Sequence, residues 1–328
     1  MKHERDDKVK RKFVGGTRPV GVLMKSIYPF VVFFIVLPFL FGCEGKGGGV
    51  SVLDQKPIKI GFMICNSTAE TKARFEPIAA YLSEKLGRKF EPILIDTYKF
   101  EEYVRDKKVD FTHTNSMLAI SYKENYGLEL LTVDKRGRQD HKDSGAIITR
   151  KDSGIKNYDD MRGKTMVFGP ALAPFGYMAQ YYLMLTNGFD PEEDLAYYAI
   201  APGSYKHEKV IYSVLYGRYD LGSVPRIDLD LMEEEGKIDL DDFHIIDESI
   251  AMPYCTVGAM PDVDPALVQK VKETLLNLKQ DETVLHEGEV LKVLDRAWLH
   301  GFVEADDSEF DLIREQLKRN NMEPYKKY

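Results

Sequence analysis

Cysteine and tryptophan are scarce in this chain, with 3 and 1 among 328 residues. So few cysteines exclude a disulfide-stapled scaffold, and a chain this long buries enough core to fold without staples. Glycine (25) and proline (15) are too few for a collagen-like or low-complexity chain. Basic charge is in deficit, 45 Lys+Arg against 53 Asp+Glu for a net −8, which argues against non-specific nucleic-acid binding. No Gly-x-Ser-x-Gly, phosphate-gripping Gly-x-x-x-x-Gly-Lys or His-Glu-x-x-His sequence occurs. His113, His141, His207, Cys65 and Cys255 show no close metal-ligand spacing either. Catalysis, a metal and a cofactor are therefore not expected. The charge-free apolar stretch Ile27–Phe41 has only 15 residues, two of them prolines (Pro29 and Pro38), against about 20 for a membrane-spanning helix.

What is present first is a charge split. Residues 1–42 hold 8 basic and 3 acidic side chains, a net +5 that leaves −13 on the remaining 286 residues. A basic flank ahead of a short apolar run is the secretory-signal pattern, with an uncleaved anchor as the alternative. Met24-Lys25 would itself open such a signal, so residues 1–23 read equally as an over-called start. The run ends Leu40-Phe41-Gly42-Cys43, which resembles a bacterial lipobox and implies lipidation of Cys43. Residues 43–55 then form a lipid-attached flexible tether, with Gly45 and Gly47 to Gly49. An extracytoplasmic, membrane-anchored protein follows. Cys65 and Cys255 remain, either as a disulfide pair or as two buried thiols.

Beyond the tether, strand patterns alternate with helical ones. Pro57–Ile64, Phe90–Ile95 and Val109–Thr112 are short apolar strands, separated by an amphipathic helix through Phe75, Ile78, Ala79, Leu82 and Leu86 that Gly87 ends. A second block repeats the rhythm, with strands at Ser144–Arg150, Lys164–Gly169 and Asp220–Val224. Alternation of this kind gives an α/β fold in two lobes, each a mainly parallel sheet flanked by helices, with a ligand cleft at the carboxyl ends of the strands. The boundaries are residues 56–145 plus 255–328 for lobe 1 and 146–254 for lobe 2.

An ordered series of short elements carries a family resemblance. It runs Arg74-Phe75-Glu76-Pro77, Tyr81–Gly87, Val109-Asp110-Phe111, Arg150–Ile155, Met161–Thr165, Phe168-Gly169, Gly176-Tyr177, Gly203-Ser204 with His207, Gly217–Gly222 and Gly301-Phe302-Val303. In order and spacing it resembles the PhnD-like phosphate, phosphite and phosphonate-binding proteins of ABC importers, over about residues 56 to 315. The resemblance implies a hinged, type II periplasmic-binding-protein fold, expected to be a monomer, that closes on a small anionic or polar organic solute and passes it to an ABC permease. Ligand-sensing members feed a sensor kinase or chemoreceptor instead, and that alternative stays open.

The resemblance also places site residues. Relatives open a helix of the second lobe with a Ser-Thr-Ser-Gly run whose hydroxyls cradle anionic oxygens; here Ala173, Pro174 and Phe175 hold the three hydroxyl positions. That departure counts against phosphate and phosphonate and leaves backbone donors at Phe175, Gly176 and Tyr177. Phe175 and Tyr177 suit an aromatic wall, with core packing the alternative for Phe175. His207 takes the place of a site histidine or lies on a helix surface. His113 faces cleft or core. Thr114, Asn115 and Ser116 bond ligand or cap a helix. Tyr98 matches a cleft aromatic, and Asn66, Ser67 and Thr68 either donate to ligand or form a solvated turn. Asp220 orients cleft neighbours or makes a structural hydrogen bond.

Overall fold

The computed structural model describes residues 56–65, 67–202 and 207–327. The expected signal, Cys43, the tether and Asn66 lie outside them. Among the described residues no helix is long and apolar enough to cross a membrane.

The first sheet starts with β1 (Ile58–Met63), whose Ile58, Ile60 and Phe62 are buried against the helix Thr68–Leu86. That helix begins where extended Ser67 accepts the Glu70 N–H at 3.2 Å, and it stops at Gly87, whose φ of 61° suits glycine. Its Phe75, Ile78, Ala79 and Leu82 join the same core. Then come β2 (Phe90–Ile95), β3 (Phe111–Thr114) and β4 (Glu129–Lys135).

The chain crosses to the second sheet through β5 (Lys142–Asp143) and builds β6 (Gly145–Arg150), β7 (Thr165–Phe168), β8 (Tyr197–Ile200), β9 (Leu221–Pro225) and β10 (Phe243–Glu248). It returns through β11 (Met252–Pro253), which pairs antiparallel with β5, so the two crossings run side by side. The first sheet is completed by β12 (Thr256–Ala259). After the hairpin β13 (Thr283–His286) and β14 (Glu289–Lys292), β15 (Gly301–Glu304) adds its outer edge.

Strand order is β15-β4-β12-β3-β1-β2 in the first sheet and β10-β6-β9-β7-β8 in the second. Parallel pairing holds at β1–β2, β1–β3, β7–β8 and β7–β9. The strands that arrive by crossing, β6 and β12, enter from the opposite side and so pair antiparallel with β9, β3 and β4. The carboxyl ends of β1, β3, β7 and β9 all contribute to one cavity between the sheets.

A π-helical turn, Pro174–Met178, leads into the helix Ala179–Thr186. Phe175, Met178 and Ala179 of this segment are buried with Met117, Leu118, Phe310, Ile313 and Leu317 of the first sheet's helices. Asn320 Nδ2 adds a hydrogen bond to the Met178 carbonyl at 2.8 Å. The wall of the cavity contributed by the second sheet is thus seated on the first.

Candidate ligand-binding site

The cavity measures about 140 Å³ and lies where Met63, Cys65, Thr97, Asn115, Pro170 and Pro225 extend beyond their strands. Two arginines, Arg74 and Arg136, and two carboxylates, Asp134 and Asp228, bring charge to its lining. Arg74, on the helix Thr68–Leu86, is 6% exposed, donates Nε and Nη2 to the Ala297 carbonyl at 3.2 and 3.1 Å, and lies 4.4 Å from the Trp298 ring centre. Arg136, the residue after β4, donates Nη1 to the Tyr254 hydroxyl at 2.9 Å and lies 5.9 Å from the same indole. The chain's one tryptophan therefore stacks beside both cations, in a left-handed conformation (φ 60°) that ends the helix Val293–Ala297.

His113 and Asp134 form the floor. Nε2 and Oδ2 stand 2.8 Å apart, and the imidazole rests against Phe75 at 4.5 Å and Phe62 at 5.7 Å. Asn115 closes the cavity from both sides. Its Oδ1 caps the helix Ser116–Tyr126 by accepting the Leu118 N–H, while its Nδ2 reaches across to the Leu172 carbonyl, both at 2.9 Å. Phe175, from the second sheet's side, stacks on Tyr254 with ring centres 6.2 Å apart and planes within 1°.

His207 lies over two glycines. A Cβ at Gly176 would fall 2.2 Å from its Cε1, and one at Gly169 2.7 Å away, so both positions exclude any side chain. Burial lowers the His207 pKa from 6.5 and keeps the folded ring neutral. The unfolded chain takes up the proton more readily below about pH 6.5, so this contribution to stability is complete above that pH and drains away as pH falls toward the folded value. Urea midpoints should therefore drop between about pH 7.5 and about pH 5.5, and drop less in His207→Gln; equal drops would remove His207 from this role.

Of the residues singled out in the sequence, His113, Asn115, Phe175 and His207 line the cavity, as do Cys65 and Cys255. The two cysteines are free thiols, so no disulfide joins them. Burial raises both thiol pKa values, Cys255 the more strongly.

The other named residues lie elsewhere. Ser67 caps the first helix and Thr68 begins it. Tyr98 is 55% exposed beside the Asp96 cap. Thr114 and Ser116 are fully buried at the end of β3 and the start of the next helix. Gly176 serves His207, and its carbonyl accepts from Gly169 N–H and Ser223 Oγ. Tyr177 packs on Phe168 and Tyr181, while its N–H is spent on the Ala173 carbonyl, which removes one of the expected anion donors. Asp220 sits at the opposite end of β9 and accepts the N–H and hydroxyl of Thr165, each at 2.8 Å, in a structural role.

Sequence reasoning missed Arg136, Asp134, Asp228 and Tyr254, and quoted Arg74 only as part of a motif. One signal was available. Lys135-Arg136-Gly137-Arg138 is a basic knot at a strand end in a strongly acidic body.

The sequence profile of the family described as "ABC transporter, phosphonate, periplasmic substrate-binding protein" matches residues 60–310. The tetrathionate sensor histidine kinase TtrS of Salmonella typhimurium is 27% identical over 234 residues, 66% of this chain but only 39% of that protein, so the chain spans about two fifths of that relative. Among solved structures, PhnD1 from Prochlorococcus marinus in complex with methylphosphonate superposes with a TM-score of 0.68 at 15% identity, covering 81% of this chain and 98% of that one. A binding-protein component of an ABC phosphonate transporter from Pseudomonas aeruginosa gives 0.64 at 20% identity, covering 82% and 88%. These likenesses show a shared two-sheet α/β architecture. On the profile match, the chain belongs to the phosphonate-type periplasmic substrate-binding proteins of ABC transporters.

Proposed function

We propose that the protein captures a small oxyanion between its two sheets, without chemistry, and delivers it to an ABC permease. The observation that carries this reading is the pair of arginines, Arg74 and Arg136, brought to one cavity from distant parts of the chain. Guanidinium forks match oxyanion geometry and stand in for the hydroxyls that Ala173, Pro174 and Phe175 replace. The Salmonella relative is a tetrathionate sensor, and the Prochlorococcus protein was solved with methylphosphonate. Both ligands end in an XO3 group, and that shared head group is what this site is proposed to take.

Residues 56–145 with 255–328 form one lobe and 146–254 the other. The paired crossings β5 and β11 act as the hinge, and Asn115 with Phe175 fastens the closed form. An anion that binds only the folded state raises its stability by about 2.7 kcal/mol at a hundred times its dissociation constant. Thermal shifts with sulfate, phosphate, methylphosphonate and thiosulfate test the reading. At least one should raise the melting temperature and change the emission of Trp298; no response from any anion would refute it.

The protein is further proposed to be a monomer anchored by lipid at Cys43, consistent with its family's extracytoplasmic place. Cells fed an alkyne-tagged fatty acid should label the wild type and not Cys43→Ser. Label retained in that variant rules the anchor out.

A further inference from the structure

We infer that the ligand is an oxyanion bearing divalent sulfur, of the thiosulfate or polythionate class, with its XO3 head on Arg74 and Arg136 and its sulfane sulfur against Met63, Cys65 and Cys255. The inference rests on the anion-binding reading above and narrows it. Three sulfur-bearing side chains line this cavity. Met63 ends β1, Cys65 follows two residues later with Sγ 3.5 Å from the Met63 carbonyl, and Cys255 stands just ahead of β12. Arg74 and Arg136 line the same cavity as these three sulfur-bearing side chains, so one small ligand can meet both. Pro170, Leu172, Pro174 and Pro225, which carry no side-chain donor, line the same cavity.

This wall discriminates by chemistry. A thiol is a weak donor and a thioether a weak acceptor, so an oxygen pressed against them gives up water without a matching hydrogen bond. Divalent sulfur is large, polarizable and poorly hydrated; it loses little on leaving water and gains dispersion contacts with other sulfurs. Burial keeps both thiols protonated, so they add no negative charge against an anion. The proposed binding is non-covalent, and nothing is oxidised or reduced.

Thiosulfate, sulfate and methylphosphonate share a tetrahedral XO3 head and differ in the fourth substituent, which is sulfur, oxygen or methyl. Calorimetry under reducing conditions at fixed ionic strength should rank thiosulfate at least tenfold tighter than either of the others. Equal or tighter binding of sulfate or methylphosphonate overturns the inference while leaving the anion-binding reading intact; failure of every anion overturns both. Cys65→Ser with Cys255→Ser adds stronger donors at the same shape and should cut the thiosulfate-to-sulfate preference at least fivefold. An unchanged preference in the folded double variant counts against the sulfur wall. Should that variant not fold, the wild-type series decides alone.

Discussion

Arg136→Met should weaken anion binding about 100-fold, the largest single effect in the site. Arg136 leaves β4 at the point where the chain turns toward the second sheet, and Tyr254 and Trp298 fix its guanidinium. Tyr254 engages one of five N–H donors, so the group stands beside the cavity as an oriented cation. Truncating one partner of a buried, hydrogen-bonded charge pair costs roughly 2–5 kcal/mol, and about 2.7 kcal/mol is a factor of 100 in affinity. Methionine keeps the packed stem, so the ligand-free protein should retain its far-UV spectrum and melt close to the wild type. Arg136→Lys should recover little, because a point charge reproduces neither the planar fork nor the stacking on Trp298. Calorimetry with the tightest-binding anion measures the loss; a change under tenfold in a folded variant would displace Arg136 from the site.

That residue also marks where sequence reading stopped. The alternation of apolar runs made the two sheets and their cleft legible, because periodicity is local and each strand carries its own signal. Asn115 was legible only as one of three residues, with Thr114 and Ser116, that could cap a helix or bond ligand, and its second bond, to Leu172, joins residues 57 apart. Gly176 belonged to a motif, yet its reason, the His207 ring overhead, depends on two segments meeting. The cysteines showed the same limit. Both lie at strand ends, but which strand separates them is a matter of sheet order, and β3 lies between. Arg74 and Arg136 converge only because a helix of the first sheet and the end of β4 meet beside Trp298. Pairwise convergence over long separations leaves no periodic trace in one sequence.

Gln180 is the sharpest case, and replacing it should cost the fold more than any other polar change near the cavity. In the sequence it is one residue of an ordinary helical run, Tyr177 to Thr186. In the fold it is 0% exposed, and its Nε2 donates to the carbonyls of Phe175, Val224 and Ala146 at 2.6, 3.0 and 3.3 Å. Val224 and Ala146 are cross-strand partners on β9 and β6, so one amide ties the π-helical turn to the centre of the second sheet. A Cβ on Gly145 would lie 2.5 Å from that nitrogen, so the close approach needs glycine there. Gln180→Leu keeps most of the volume and removes the donor. An orphaned buried carbonyl costs about 1–3 kcal/mol. Counting the Phe175 carbonyl in full and the two strand carbonyls in part, the expected loss is about 2–4 kcal/mol. Urea denaturation should show it as a lower midpoint at unchanged slope. Because the same turn carries Phe175 to its place against Tyr254, anion affinity should fall as well, even though Gln180 does not line the cavity. A loss below about 1 kcal/mol would mean that the turn is held by its own backbone bonds, Met178 N–H to Ala173 and Ala179 N–H to Pro174, and that the glutamine is incidental to it.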